Sequence, residues 1–244
     1  MTPTLSTPAL VLHTMQYKET SVIAKIFTRQ LGVRSYILKG VRKGGGRTKQ
    51  NLLQPLSYLD LVVYNNPKTQ LNYLKEIAPH VREVPQIMED MSDEAVHNAL
   101  RFFMTELLYK TLREEEPMPE LFDYVVNSSQ FAEKGKNLSN QPIFFLLTVS
   151  RYLGIEPLDN YSQREPLFDL PDGRYRFSGE NTLDTATSQL LHYYLQAVNE
   201  GGPIPLTTLK QRTELINRLL DYFQLHLAEF RNFKSHEILH TVLQ

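Results

Sequence analysis

With 244 residues, 41% of them hydrophobic and 22% charged, the chain has material for one large domain or two small ones and does not have the composition of a disordered protein. No apolar run approaches the ~18 residues that a membrane helix needs, and the absence of cysteine removes disulfides, thiolate metal sites and cysteine nucleophiles together. Met1–Pro8 lacks the charged-then-apolar pattern of a signal peptide, so a cytoplasmic protein is expected.

The net charge of −1 conceals a polarity along the chain. Residues 1–79 hold eleven Lys/Arg against three acids (Glu19, Asp60, Glu76), a balance of +8, and the remainder sums to −9. An asymmetry of this kind points to an anionic partner for the first part; the plainer reading is two parts that neutralise each other.

The first 80 residues read as short strands: Ala9–His13, Ser21–Thr28, Val33–Lys39, Leu56–Tyr64 and Leu71–Ile77, rich in Val, Ile, Leu, Tyr and Phe. Turn-like stretches separate them at Gln30-Leu31-Gly32, Gly44-Gly45-Gly46 and Asn65-Asn66-Pro67-Lys68. Five closely spaced strands fit a small closed barrel, an OB-fold or another of similar size.

After Pro79 the apolar period changes. Ser92 as N-cap, followed by Val96, Leu100, Phe103, Leu107 and Thr111, predicts a helix, and Pro119–Phe131 a second. Pro142 and Gly154 bracket a third over Phe144–Leu153. Residues 157–179, with three Pro and two Gly, read as an irregular insert holding at most a small hairpin. Two helices follow, about Asp184–Val198 and Thr208–Phe230. The expected class is α+β, with a barrel over 1–80 and a helical domain over 81–244.

Between Lys25 and Lys49 the charged residues are Lys25, Arg29, Arg34, Lys39, Arg42, Lys43, Arg47 and Lys49, with no acid among them. Polyphosphate backbones favour such a surface because each neutralised phosphate releases condensed counterion. The glycine run within it lacks the spacing of a nucleotide-binding P-loop, and its plain alternative is a solvated loop. Tyr17, Phe27, Tyr36, Tyr58, Tyr64 and Tyr73 lie among these strands. Most strand aromatics belong to a core, but on an OB surface they stack bases; Tyr36, between Arg34 and Lys39, is the preferred candidate.

His236-Glu237-Ile238-Leu239-His240 is a literal H-E-x-x-H, the spacing that places two imidazoles on one helical face in zinc peptidases. Only four residues follow His240, leaving His226 or Glu229 upstream as a third ligand. A surface helix matching by chance is the better reading. With no G-x-S-x-G motif and no clustered histidines elsewhere, no enzyme, metal or cofactor is expected.

The segment Leu10-Val11-Leu12-His13, Tyr17-Lys18-Glu19-Thr20-Ser21, Phe27-Thr28 and Leu31-Gly32 resembles the opening of bacterial RecO proteins. Lys39-Gly40-Val41-Arg42-Lys43 and Leu53-Gln54-Pro55-Leu56 continue the resemblance in order and spacing, and Tyr152-Leu153-Gly154 with Pro157-Leu158-Asp159 extends it into the helical region. The resemblance implies an OB-fold that binds single- and double-stranded DNA, anneals complementary strands, and acts with RecR to load recombinase onto strands coated by single-strand-binding protein. It carries DNA contact onto Arg34, Lys39, Arg42, Lys43, Arg47 and Lys49, beside the stacking candidate Tyr36. It also implies docking of the acidic C-terminal tail of single-strand-binding protein on the helical domain, for which Arg101, Lys110, Arg113 and Arg151 are the candidate cations, with Phe103 and Phe144 as candidate apolar lining. Many family members carry a four-cysteine zinc site; here Tyr161 and Arg164 stand where its first pair would fall, so packing must hold the 157–179 insert. An OB-fold RNA-binding module is the alternative.

Overall fold

The computed structural model describes residues 4–41, 51–64, 71–80, 94–131 and 138–242. They form two compact units: Met1–Met91 with Thr105–Lys134, and Ser92–Met104 with Gly135–Gln244.

In the first unit, strands β1 (Thr4–Gln16), β2 (Val22–Thr28), β3 (Gly32–Leu38), β4 (Tyr58–Tyr64) and β5 (Leu71–Pro79) close a barrel in the order β1-β2-β3-β5-β4. All pairings are antiparallel except β3 with β5, the arrangement of a five-stranded OB barrel. Strand β1 is long because it serves two neighbours: Ala9 pairs with Thr28 on one side and Leu59 on the other. A register shift between Val11 and His13 bends it around the barrel. Alternate residues point inward, so Ala9, Val11, Ala24, Ile26, Tyr36, Leu38, Leu59, Leu61 and Val63 fill the interior.

The opposite parity is also apolar, and it needs a second cover. Phe27 is fully buried with its ring 5.4 Å from Phe122, edge to face, and His13 lies 4.8 Å from Tyr109. These partners come from α1 (Glu94–Thr111) and α2 (Pro119–Phe131). The barrel unit is therefore larger than the first 80 residues. It takes in the second part of α1, the Glu114-Glu115-Glu116 segment and α2.

The second unit contains the start of α1, α3 (Gln141–Tyr152), a two-stranded hairpin of β6 (Leu167–Asp169) and β7 (Arg174–Arg176), α4 (Thr185–Glu200), α5 (Leu209–His226) and α6 (Ser235–Val242). Its helix ends follow local chemistry. Pro142 opens α3, the Asp184 carboxylate accepts from Thr187 N at the start of α4, Gly201 closes α4 at φ 70°, and Thr208 with Gln211 forms a capping box on α5. Helix α5 stops at His226 rather than Phe230, because Leu227 is extended; Phe230 nevertheless returns to the core beside Phe223.

The 157–179 insert is held by side chains. Tyr161 stacks on His192 at 4.4 Å, His192 Nδ1 donates to Asp159 Oδ1 at 2.7 Å, and Asn160 bonds both backbone groups of Tyr175. The buried Tyr175 hydroxyl donates to the Ser188 carbonyl on α4.

Candidate nucleic-acid interface

The basic segment is anchored in the barrel at both ends. Gly40 turns the chain at φ 72°, Val41 inserts into the core with its N–H on the Thr20 carbonyl, and Leu53 re-enters the same core. Arg42, Lys43, Arg47 and Lys49 lie outside the described residues.

Three of the remaining cations are already paired with acids distant in sequence. Lys25 Nζ lies 3.3 Å from Glu114, Arg34 Nε 4.0 Å from Glu115, and Arg29 meets Asp123 through two bonds of 2.8 Å. The fork-to-fork contact raises the Arg29 pKa and lowers that of Asp123. Backbone contacts fix this acidic strap: Glu115 N donates to the Val33 carbonyl, and Gly32 packs directly against Glu116. The absence of acids between Lys25 and Lys49 therefore overstates the free positive charge, because the strap supplies them from 81 to 94 positions further on.

Two expected contact residues face away from an incoming strand. Tyr36 is 0% exposed, sits in the barrel core and offers no face to a base; burial pushes its hydroxyl pKa up to about 12. Its parity was the missed signal, since it shares a face with Leu38, which fills the interior. Arg34, with 11% of its side chain exposed, is turned against the strap.

Lys39 is exposed, and its ammonium lies 5.1 Å from the centre of the Tyr73 ring, within cation–π range. The two residues border a groove of about 420 Å³ crossing β3, β5 and β4, lined by Ile37, Lys39, Tyr64, Tyr73, Lys75 and Ile77 among others. Tyr73 is 50% and Tyr64 39% exposed. The alternation of β5 produces this: Asn72 is buried while Tyr73 and Lys75 face out. Lys75, which composition alone does not single out, lies 3.7 Å from the neighbouring Glu76.

The four candidate tail-binding cations divide between the units. Lys110, 3.8 Å from Glu106, and the exposed Arg113 belong with the barrel, whereas the exposed Arg101 and Arg151 belong with the second unit. Arg151 is bound to Glu156 at 2.8 Å and to Asn199. Phe103 is fully buried, edge-on to Phe233, and so lines no groove; Phe144 packs on Tyr194.

His236 and His240 project from α6 with ring centres 5.6 Å apart, as their spacing requires. The proposed third ligand His226 instead donates to the Leu170 carbonyl at 2.9 Å. Among the described residues no three His, Asp or Glu side chains are grouped to hold a metal ion. Nor is any described helix long and apolar enough to cross a membrane.

Comparison with known proteins follows the division into barrel and helices. The family model described as Recombination protein O N terminal matches residues 1–80, and that described as Recombination protein O C terminal matches residues 95–231. The chain belongs to the RecO family. It is similar to the DNA repair protein RecO of Christiangramia forsetii, 28% identical over 241 residues covering 98% of each chain. The RecO proteins of Azobacteroides pseudotrichonymphae, 25% identical over 97% of this chain and 98% of the relative, and Flavobacterium psychrophilum, 24% identical over 98% of each, are further relatives. RecO membership places the chain in DNA repair and recombination, and the barrel is the OB-fold of that family.

Proposed function

We propose that this RecO protein binds single- and double-stranded DNA through the barrel, anneals complementary strands, and with RecR helps load recombinase onto DNA coated by single-strand-binding protein. The Lys39–Tyr73 pair carries the reading: a cation with no acid partner among the described residues and an exposed ring stand together where the basic segment leaves the barrel. Lys39, Arg42, Lys43, Arg47 and Lys49 supply phosphate contacts in a cytoplasmic, non-enzymatic protein without metal or cofactor. Annealing needs no reacting side chain. A cationic surface lowers the repulsion between two polyanions and raises their local concentration.

The deciding experiment follows pairing of complementary strands, each coated with single-strand-binding protein, with and without this protein and RecR. Accelerated pairing supports the assignment; an unchanged rate removes it. Competition with RNA of the same sequence addresses the alternative, and preferential RNA binding would favour the RNA module.

A further inference from the structure

We infer that the groove across β3, β5 and β4 is a base-stacking subsite for single-stranded polynucleotide, with Tyr73 as its platform. This rests on the DNA-binding reading above and specifies where, and on what part of the strand, the barrel acts.

The first argument is from exposure. Tyr73 lies directly opposite Ile37 in the β3–β5 pairing, and half of its surface remains open although a core-forming barrel lies beneath it. Tyr64 at the end of β4 borders the same groove, so two exposed rings and the apolar floor of Ile37 and Ile77 lie together. Rings so placed offer π-faces to any base, which suits a ligand of no defined sequence.

The second argument is from charge. The acidic strap occupies Lys25, Arg29 and Arg34 on the β2–β3 side, so those cations contribute little to an incoming strand. Lys39 and Lys75, by contrast, flank the aromatic groove. Among the described residues Lys75 meets one acid, the exposed Glu76 that also lines the groove, and such surface pairs are weak. The long Lys39 stem lets its ammonium leave the ring for a phosphate while a base takes its place on Tyr73.

The third argument selects the strand form. In a duplex each base face is already covered by its neighbours, so an aromatic platform gains nothing. Unpaired bases have faces to offer. The subsite should therefore distinguish single strands from duplex, whereas the basic segment serves both.

Fluorescence anisotropy at fixed salt, with a labelled deoxythymidine oligomer, an abasic oligomer of equal length and a blunt duplex, tests this on the full chain. Tyr73→Ala should weaken binding of the thymidine oligomer about fivefold to a hundredfold, with Tyr73→Phe and duplex binding within about twofold of the parent. The parent should bind the abasic oligomer more weakly than the thymidine one, a comparison that needs no variant to fold. Equal affinity of the parent for both oligomers, or parent-like binding by Tyr73→Ala, overturns the subsite while leaving DNA binding intact. Failure of the parent to bind any of the three overturns the underlying reading instead.

Discussion

Arg29 and Asp123, 94 positions apart, face each other with Nε on Oδ1 and Nη2 on Oδ2, both at 2.8 Å. With Lys25–Glu114 and Arg34–Glu115 the contact makes the acidic strap an internal counterion for the β2–β3 side of the barrel. This separates two sets of cations that composition treats alike. Replacing Lys39, Arg42, Lys43 and Arg47 together by Ala should reduce the log–log salt slope of single-strand binding by about 3, at ~0.7 per phosphate contact. Arg29→Gln should change the slope by well under ~0.7, because its charge is already matched. Equal loss from both variants would show that the strap releases its cations to DNA.

The strap should also be essential to the barrel. A Cβ on Gly32 would lie 2.3 Å from the Glu116 carbonyl oxygen, at a φ of 66°, whereas one on Gly40, at φ 72°, meets nothing within 4 Å. Gly32→Ala should therefore destabilise by roughly 2–4 kcal/mol, and Gly40→Ala only by the backbone cost of about 1 kcal/mol. Urea unfolding of both variants measures the gap; equal stabilities would show that the strap yields readily.

Much of this architecture is legible in the sequence, for reasons that differ by element. The five strands stand out because Ala24, Ile26, Leu59, Leu61 and Val63 repeat at the period of two that a half-buried strand imposes. The caps at Asp184 and Thr208 are local, and so is their signal. What stays hidden is long-range. Nothing near Phe27 announces Phe122, and no local pattern says that Glu114–Asp123 will neutralise Lys25–Arg34. Charge counted along a chain does not measure surface charge when a distant segment folds onto it. Tyr36 differs for a simpler reason: the parity it shares with Leu38, not its flanking cations, decides which way its ring faces.

The Asp184 cap gives a pH dependence of definite sign. The Thr187 side chain and backbone hydrogen-bond the Asp184 carboxylate, holding its pKa below the ordinary value. A depressed folded-state pKa contributes stability that is present above the unfolded value of ~3.9 and lost as pH falls through the folded one. Asp184→Ala should thus cost about 1 kcal/mol at neutral pH. The difference from the parent should shrink below about pH 4. A gap that persists unchanged in acid would assign the cost to something other than the ionised cap.

The tail of single-strand-binding protein, if it docks on the second unit, needs a cation beside apolar surface. Arg151 is already held by Glu156 and Asn199, and the Glu156 carboxylate raises its pKa, so its fork is oriented but partly occupied. Arg101 is exposed in the same unit. Arg101→Ala should weaken a tail peptide about tenfold, in line with 1.5–3 kcal/mol for a charge-assisted contact. Calorimetric titration of the full chain decides; unchanged affinity in both the Arg101→Ala and Arg151→Ala variants moves the tail elsewhere.

The hairpin insert provides the last test, because here aromatic packing stands where the resemblance to RecO proteins implies zinc in many members. Tyr161 stacks on His192, meets Tyr175 edge-on at 5.4 Å, and His192 is tethered by Asp159; Tyr175 in turn reaches α4 through Ser188. Each link depends on the next, so removing one ring should loosen the hairpin rather than a single contact. Tyr161→Ala should destabilise by roughly 3 kcal/mol or somewhat less, since Tyr161 is not fully buried. Tyr161→Phe should retain most of that stability. Strong chelators should leave the melting temperature of the parent unchanged, and elemental analysis should find well under one zinc per chain. His236→Ala and His240→Ala should leave annealing intact. Stoichiometric zinc that survives dialysis, or a melting temperature that falls on chelation, would show that metal rather than these rings holds the insert.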